Sequence, residues 1–202
     1  MSDPAATVRA LLDAGRAEFA RYGLAGGRID KVAAASRVNK QRIYAYFGSK
    51  EGLFEAVVDD ALEDLLDVVP LPSDAPDAAT LARDYIGSLV AYHREHPELM
   101  RLMQWESLER TSSIDPDSPR ATKCRTKVET FADWLGVPQD QAGSLLVQII
   151  LLATGPQAVL NVAAMVMATT PEVALTKMGE SAVTASMTLI AAAAQPAQTQ
   201  GS

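Results

Sequence analysis

Cysteine is nearly absent: Cys124 is the only one in 202 residues. No intramolecular disulfide can form, and a reducing compartment is expected. Lys123 and Arg125 flank that thiol, but a lone cysteine is far more often an ordinary helix residue than a redox sensor. Histidine is scarce too. His93 and His96 lie three apart with Glu95 between them, half of a metal site whose other ligands are missing, and Pro97 places the pair across a helix boundary. No metal and no cofactor is expected. No nucleophile–base set and no glycine-rich phosphate loop appears, so an enzyme is not expected either. Asp3 and Glu18 stand where a secretion leader would need a basic start and an apolar run. The most apolar stretch, Leu145 to Met167, is broken by Gln148, Gly155, Pro156 and Asn161. It falls short of about 18 uninterrupted apolar residues and reads as buried helices of a cytoplasmic protein, with no membrane partner.

Positive charge is also short overall, for the net charge is −7. Its distribution matters more. Residues 1–58 hold nine of the 18 Lys/Arg and six of the 25 Asp/Glu, a local balance of +3, while the remainder carries −10. Seven cations fall within 21–50 (Arg21, Arg28, Lys31, Arg37, Lys40, Arg42, Lys50) against one acid, Asp30. A short basic block on an acidic body is the electrostatic footprint of a DNA-binding module.

Almost half the residues are apolar, enough for a substantial core, and their spacing is helical throughout. Asp3-Pro4 opens a helix carrying Val8, Leu11, Leu12, Gly15 and Phe19, which Gly23 ends. Ile29, Val32 and Ala33 mark a short second helix. Asn39 caps a third to about Phe47. Ser49 caps a fourth with Leu53, Phe54, Val57, Ala61, Leu62 and Leu65 inward. Pro70–Pro76 is a loop. Further helices are expected at about 78–95, 97–109, 120–135, 138–154, 156–168 and 171–194, four of them opened by proline. A second loop spans Thr111 to Pro119, and a frayed polar tail covers 195–202. The fold class is all-α.

The segment Arg28–Phe47 carries the most information. Two short helices flank a three-residue turn, with small Ala33 at their crossing and Val32, Val38 and Ile43 as a shared core. That is helix-turn-helix spacing, which lays the second helix in the major groove with its N-terminal residues against base edges. Lys40, Gln41 and Arg42 stand at that end. Lysine and arginine pair with guanine O6/N7, glutamine with adenine N6/N7. Tyr44 and Tyr46 add hydroxyls. Lys50 sits in the first turn of the fourth helix, where a cation is disfavoured by about 0.3–1 kcal/mol. A bound phosphate would reverse that sign, and this reading is preferred to a merely solvated lysine.

Residues 7–58 resemble the DNA-binding domain of the TetR family. The string Val38–Leu53, VNKQRIYAYFGSKEGL, is similar to the family pattern V-(S/N)-x-x-x-(L/I)-Y-x-(H/Y)-F-x-(S/N)-K-E-x-L, and Phe19 and Gly23 also match. The resemblance implies base-facing Lys40, Gln41, Arg42 and Tyr46, and phosphate-facing Tyr44 and Lys50. It implies a homodimer packed through its last two helices, a palindromic double-stranded operator and a small-molecule ligand whose binding releases DNA. Two residues depart from the pattern. Arg37 replaces the usual turn glycine, at a cost of roughly 1–2 kcal/mol if the backbone is left-handed, offset by any phosphate contact it makes. Arg28 replaces the usual threonine and can still hold a phosphate.

The implied division is a helix-turn-helix domain over 1–50, with its motif at about 28–47, and a helical ligand-binding and dimerisation domain over 51–194. Asp59, Asp60, Glu63, Asp64 and Asp67 form an acidic stripe without basic partners nearby in sequence, and read as a solvated face. Tyr85, Tyr92, Met100, Met103, Trp105, Phe131 and Trp134 are the candidate lining of an apolar ligand cavity, drawn from a set that is mostly core. The last two helices are apolar all round, hence buried or paired with another subunit. The rival reading is a helical small-molecule or protein-binding module that does not bind DNA, kept open by Arg37.

Overall fold

The computed structural model describes residues 3–110 and 113–194, so the expected tail over 195–202, and Thr111 and Ser112 of the second loop, lie outside the described residues. Among the described residues there are ten helices and no strand: α1 (Pro4–Gly26), α2 (Ile29–Ser36), α3 (Lys40–Phe47), α4 (Lys50–Val68), α5 (Ala78–Glu95), α6 (Pro97–Glu109), α7 (Pro119–Leu135), α8 (Gln139–Ala158), α9 (Leu160–Val166) and α10 (Pro171–Ala193). They gather into two compact units. One is drawn from Met1–Asp67 and His96–Ala121, the other from Val68–Glu95 and Thr122–Ser202.

In the first unit, α1 packs on α2 and on α6. Leu11, Phe19, Val32, Ile43, Leu53 and Val57 are its buried centre. Phe19 meets Phe54 edge to face, ring centroids 5.3 Å apart. Gly15 lets α4 come close, for a Cβ there would lie 2.7 Å from Val57 Cγ2. The acidic stripe of α4 is not simply a solvated face. Asp60 accepts from Arg9 at 2.8 and 2.7 Å and from Arg16 at 2.7 Å, and Asp64 accepts from Arg16 at 2.6 Å. Arg120, itself buried, is ion-paired with Asp59 at 3.1 Å and donates to Glu106 at 2.7 Å. These partners come from α1 and α7, dozens of residues away, which is why local sequence hid them.

In the second unit, α10 packs on α5, α8 and α9. Tyr85, Ile86, Leu89, Ile149, Ala182 and Ile190 are buried there. Small residues allow close approach: a Cβ on Gly179 would lie 3.1 Å from Val90 Cγ1. Pro171 opens its helix as expected, whereas Pro138 is the residue before α8 and Pro156 lies inside it. Pro156 has no amide to donate to the carbonyl of Leu152 one turn earlier, so α8 lacks one bond of its ladder there. The chain bends instead at Val159, by 83° between α8 and α9. No single helix among the described residues is long and apolar enough to cross a membrane. The 145–167 stretch is also less buried than its composition suggested. Val147, Leu151, Val159, Val162, Met165 and Val166 are exposed, because one chain covers only one side of α8 and α9.

Candidate nucleic-acid interface

Local chemistry sets each end of the helix-turn-helix. Arg28 precedes α2 in extended conformation, exposed, its amide donating to Glu18 Oε1 at 2.9 Å. The helix ends on Arg37 at φ 58, ψ 27, the left-handed conformation. The amides of Arg37 and Val38 both turn back to the carbonyl of Ala33, so the turn closes although glycine is absent. Asn39 then caps α3, its Oδ1 accepting from the Arg42 amide at 2.8 Å. Val32 and Ile43 are fully buried and Val38 half-buried, which fixes the two helices against each other.

The outward face of α3 holds the expected residues. Lys40, Gln41, Arg42, Tyr44 and Tyr46 are all exposed, as is Arg37. Lys40 is ion-paired to Asp30, and the ring of Tyr46 tilts against Phe47. Gly48, at φ 72, stops α3, and Ser49 Oγ accepts from the Gly52 amide at 3.0 Å to start α4. Lys50, beside it, is neither merely solvated nor waiting on phosphate for a partner: its Nζ donates to the carbonyl of Ala25 at 3.2 Å. An open groove of about 600 Å³ between α1 and α2 collects Arg21, Arg28 and Lys31 with Glu18 and Tyr22. Of these, only Arg28 was a candidate from sequence. Arg21 and Lys31 are legible only as part of the basic block.

The seven candidate ligand residues are not equivalent. Met100, Met103 and Trp105, all half-buried, lie on α6 in the first unit, where the indole of Trp105 meets Gly23. The second unit holds the other four. Tyr85, Tyr92 and Phe131 are buried, and the Trp134 indole donates to the Ala75 carbonyl at 2.9 Å. Lys127 lies 5.2 Å over the Tyr85 ring and donates to the Val69 carbonyl at 2.7 Å. His93 is buried on α5, and His96 stands before α6, so the pair does straddle a helix boundary.

A left-handed turn between two short helices, with an exposed cationic second helix, defines a helix-turn-helix protein of all-helical build. Comparison with known proteins narrows the class. Residues 11–57 match the model for bacterial regulatory proteins of the tetR family, and residues 82–195 match the tetracyclin repressor-like C-terminal domain. The chain belongs to the TetR family.

It is 41% identical to the HTH-type transcriptional repressor SCO4008 of Streptomyces coelicolor over 132 residues, 65% of this chain and 66% of that protein. It is 34% identical to the HTH-type transcriptional regulator RutR of Escherichia coli over 104 residues, 50% of this chain and 47% of that one. The chain thus spans about two thirds of the first relative and about half of the second. Among solved structures, the transcriptional regulator SCO4942 of S. coelicolor superposes with a TM-score of 0.70 at 28% identity, covering 89% of this chain and 96% of that one. A transcriptional regulator from Rhodococcus sp. Rha1 shares the fold, with a TM-score of 0.65 at 17% identity and 94% and 96% coverage.

Proposed function

We propose that the protein is a cytoplasmic, DNA-binding transcriptional repressor, working as a homodimer on a palindromic operator and released from it by a small molecule. The observation that carries this reading is α3: capped by Asn39 and anchored by Ile43, it leaves Lys40, Gln41, Arg42, Tyr44 and Tyr46 exposed on its outward side. In this reading Lys40, Gln41, Arg42 and Tyr46 meet base edges, while Arg28, Arg37, Tyr44 and Lys50 hold phosphates. The closed turn at Arg37 removes the objection that favoured a module without DNA affinity. The exposed apolar side chains of α8 and α9 support pairing with a second copy, and a two-fold pair reads half-sites about 34–36 Å apart or a multiple of that. Of the candidate ligand residues, Tyr85, Tyr92, Phe131 and Trp134 share the second unit, and their apolar and aromatic side chains are the set a ligand would use there. Such a ligand acts by binding the DNA-free arrangement more tightly than the DNA-bound one.

The test is binding of the full chain to duplexes from the region upstream of its own coding sequence. Affinity should fall steeply between about 50 and 200 mM salt, as counterions released from phosphates require. Gln41→Ala should relax base preference at particular positions, whereas Lys50→Ala should weaken all sequences alike. A flat salt response would leave the reading without its electrostatic basis.

A further inference from the structure

Gly23, at φ 68 and ψ −175, breaks α1, and one detached turn follows before α2. A new turn begins with amides that lack helical partners. Here a side chain from another helix takes them. Glu109, in the last turn of α6, accepts from the Leu24 amide at 2.5 Å and from the Ala25 amide at 3.2 and 3.3 Å. At the carbonyl end of the same turn, the Lys50 ammonium binds Ala25 O at 3.2 Å, and the Gly27 amide closes onto Gly23 O at 3.0 Å. A carboxylate thus grips the positive end of the turn and an ammonium the negative end, the arrangement its dipole favours. Trp105, one turn before Glu109 on α6, fills the space over Gly23.

We infer that Glu109 is a positioning residue for DNA binding: by capping the 24–26 turn it holds the Ala25 carbonyl that anchors Lys50 beside the recognition helix. An ammonium has three donors. One committed to Ala25 leaves two for a phosphate and holds the long side chain in place beforehand, which lowers the entropy lost on contact. The grip depends on the last turn of α6, so any displacement of that turn loosens Trp105 and Glu109 together. The inference rests on the DNA-binding reading above.

The experiment is a double-mutant cycle with the full chain on a mixed-sequence DNA duplex at low salt, together with amide hydrogen exchange. Lys50→Ala and Glu109→Ala should each weaken binding about tenfold, the scale of one charged hydrogen bond. The double variant should lose little more than either single one, because Glu109 acts through Lys50. The salt slope should fall by about one in all three. In the Glu109→Ala protein, the Leu24 and Ala25 amides should exchange faster while the buried amides of α3 and α10 do not. Glu109→Gln keeps the volume and one acceptor oxygen; it carries the same cycle, with a smaller loss, if the alanine variant fails to fold. Multiplying losses, or unchanged exchange at Leu24 and Ala25, would overturn the inference while leaving the DNA-binding reading intact. No binding by the wild type at any salt would overturn that reading itself.

Discussion

The indole of Trp105 occupies the space a side chain on Gly23 would need: a Cβ there would lie 2.7 Å from Trp105 Cδ2 and 2.8 Å from Cε3. The backbone of Gly23 is in a region essentially reserved for glycine as well. Gly23→Ala therefore meets strain and overlap together and should destabilise the protein by about 2–4 kcal/mol. Urea denaturation measures this directly. An alanine variant as stable as the wild type would mean that the turn is not held as described.

Arg37 is left-handed at φ 58. Glycine adopts that conformation without the Cβ penalty, so Arg37→Gly should raise stability by about 1 kcal/mol. If Arg37 holds a phosphate, the same change should weaken DNA binding and lower the salt slope. The two measurements should move in opposite directions, and loss of both would refute the assignment of strain to the turn.

Lys127 makes the pH dependence specific. Burial pushes its ammonium down to about 8 from an ordinary 10.5, with Cys124 opposing weakly. Between those values the unfolded chain keeps a proton that the folded protein has released, so stability should rise as pH climbs from 8 toward 10. Burial pushes the Tyr85 phenol up, so above the ordinary value of 10 the unfolded chain loses its proton first and stability should fall again. Thermal melts of wild type and Lys127→Met across this range should differ chiefly in the rising limb. A wild type with no rise would contradict the burial of that ammonium.

Val147 and Leu151 lie one turn apart on α8, 57% and 60% exposed. The outward face of α10 is more polar, with Glu180, Ser181, Thr184 and Thr188 lining it. If a second copy covers α8, Leu151→Glu should dissociate the dimer at micromolar concentration more fully than Ala185→Asp on α10. Sedimentation velocity distinguishes them, and a wild type that sediments as a monomer would remove the premise.

Whatever depends on neighbours within a turn or two was legible in the residues alone. Helical spacing placed α5 and α6 at their observed limits. Asn39 and Ser49 announced the starts of α3 and α4, because a cap is a bond across two or three residues. The basic block from 21 to 50 and the VNKQRIYAYFGSKEGL string located the helix-turn-helix for the same reason. Long-range pairing decided the rest. Asp60 and Asp64 looked solvated because Arg9 and Arg16 reach them from a different helix. Lys50 read as a phosphate contact alone because its partner within the chain is a carbonyl 25 residues earlier. Glu109 carried no mark at all in the sequence, since a carboxylate at the end of a helix is ordinary until folding brings the amides of Leu24 and Ala25 against it across 84–85 residues. Backbone groups have no residue code to betray them, so only the tertiary structure could assign their partners.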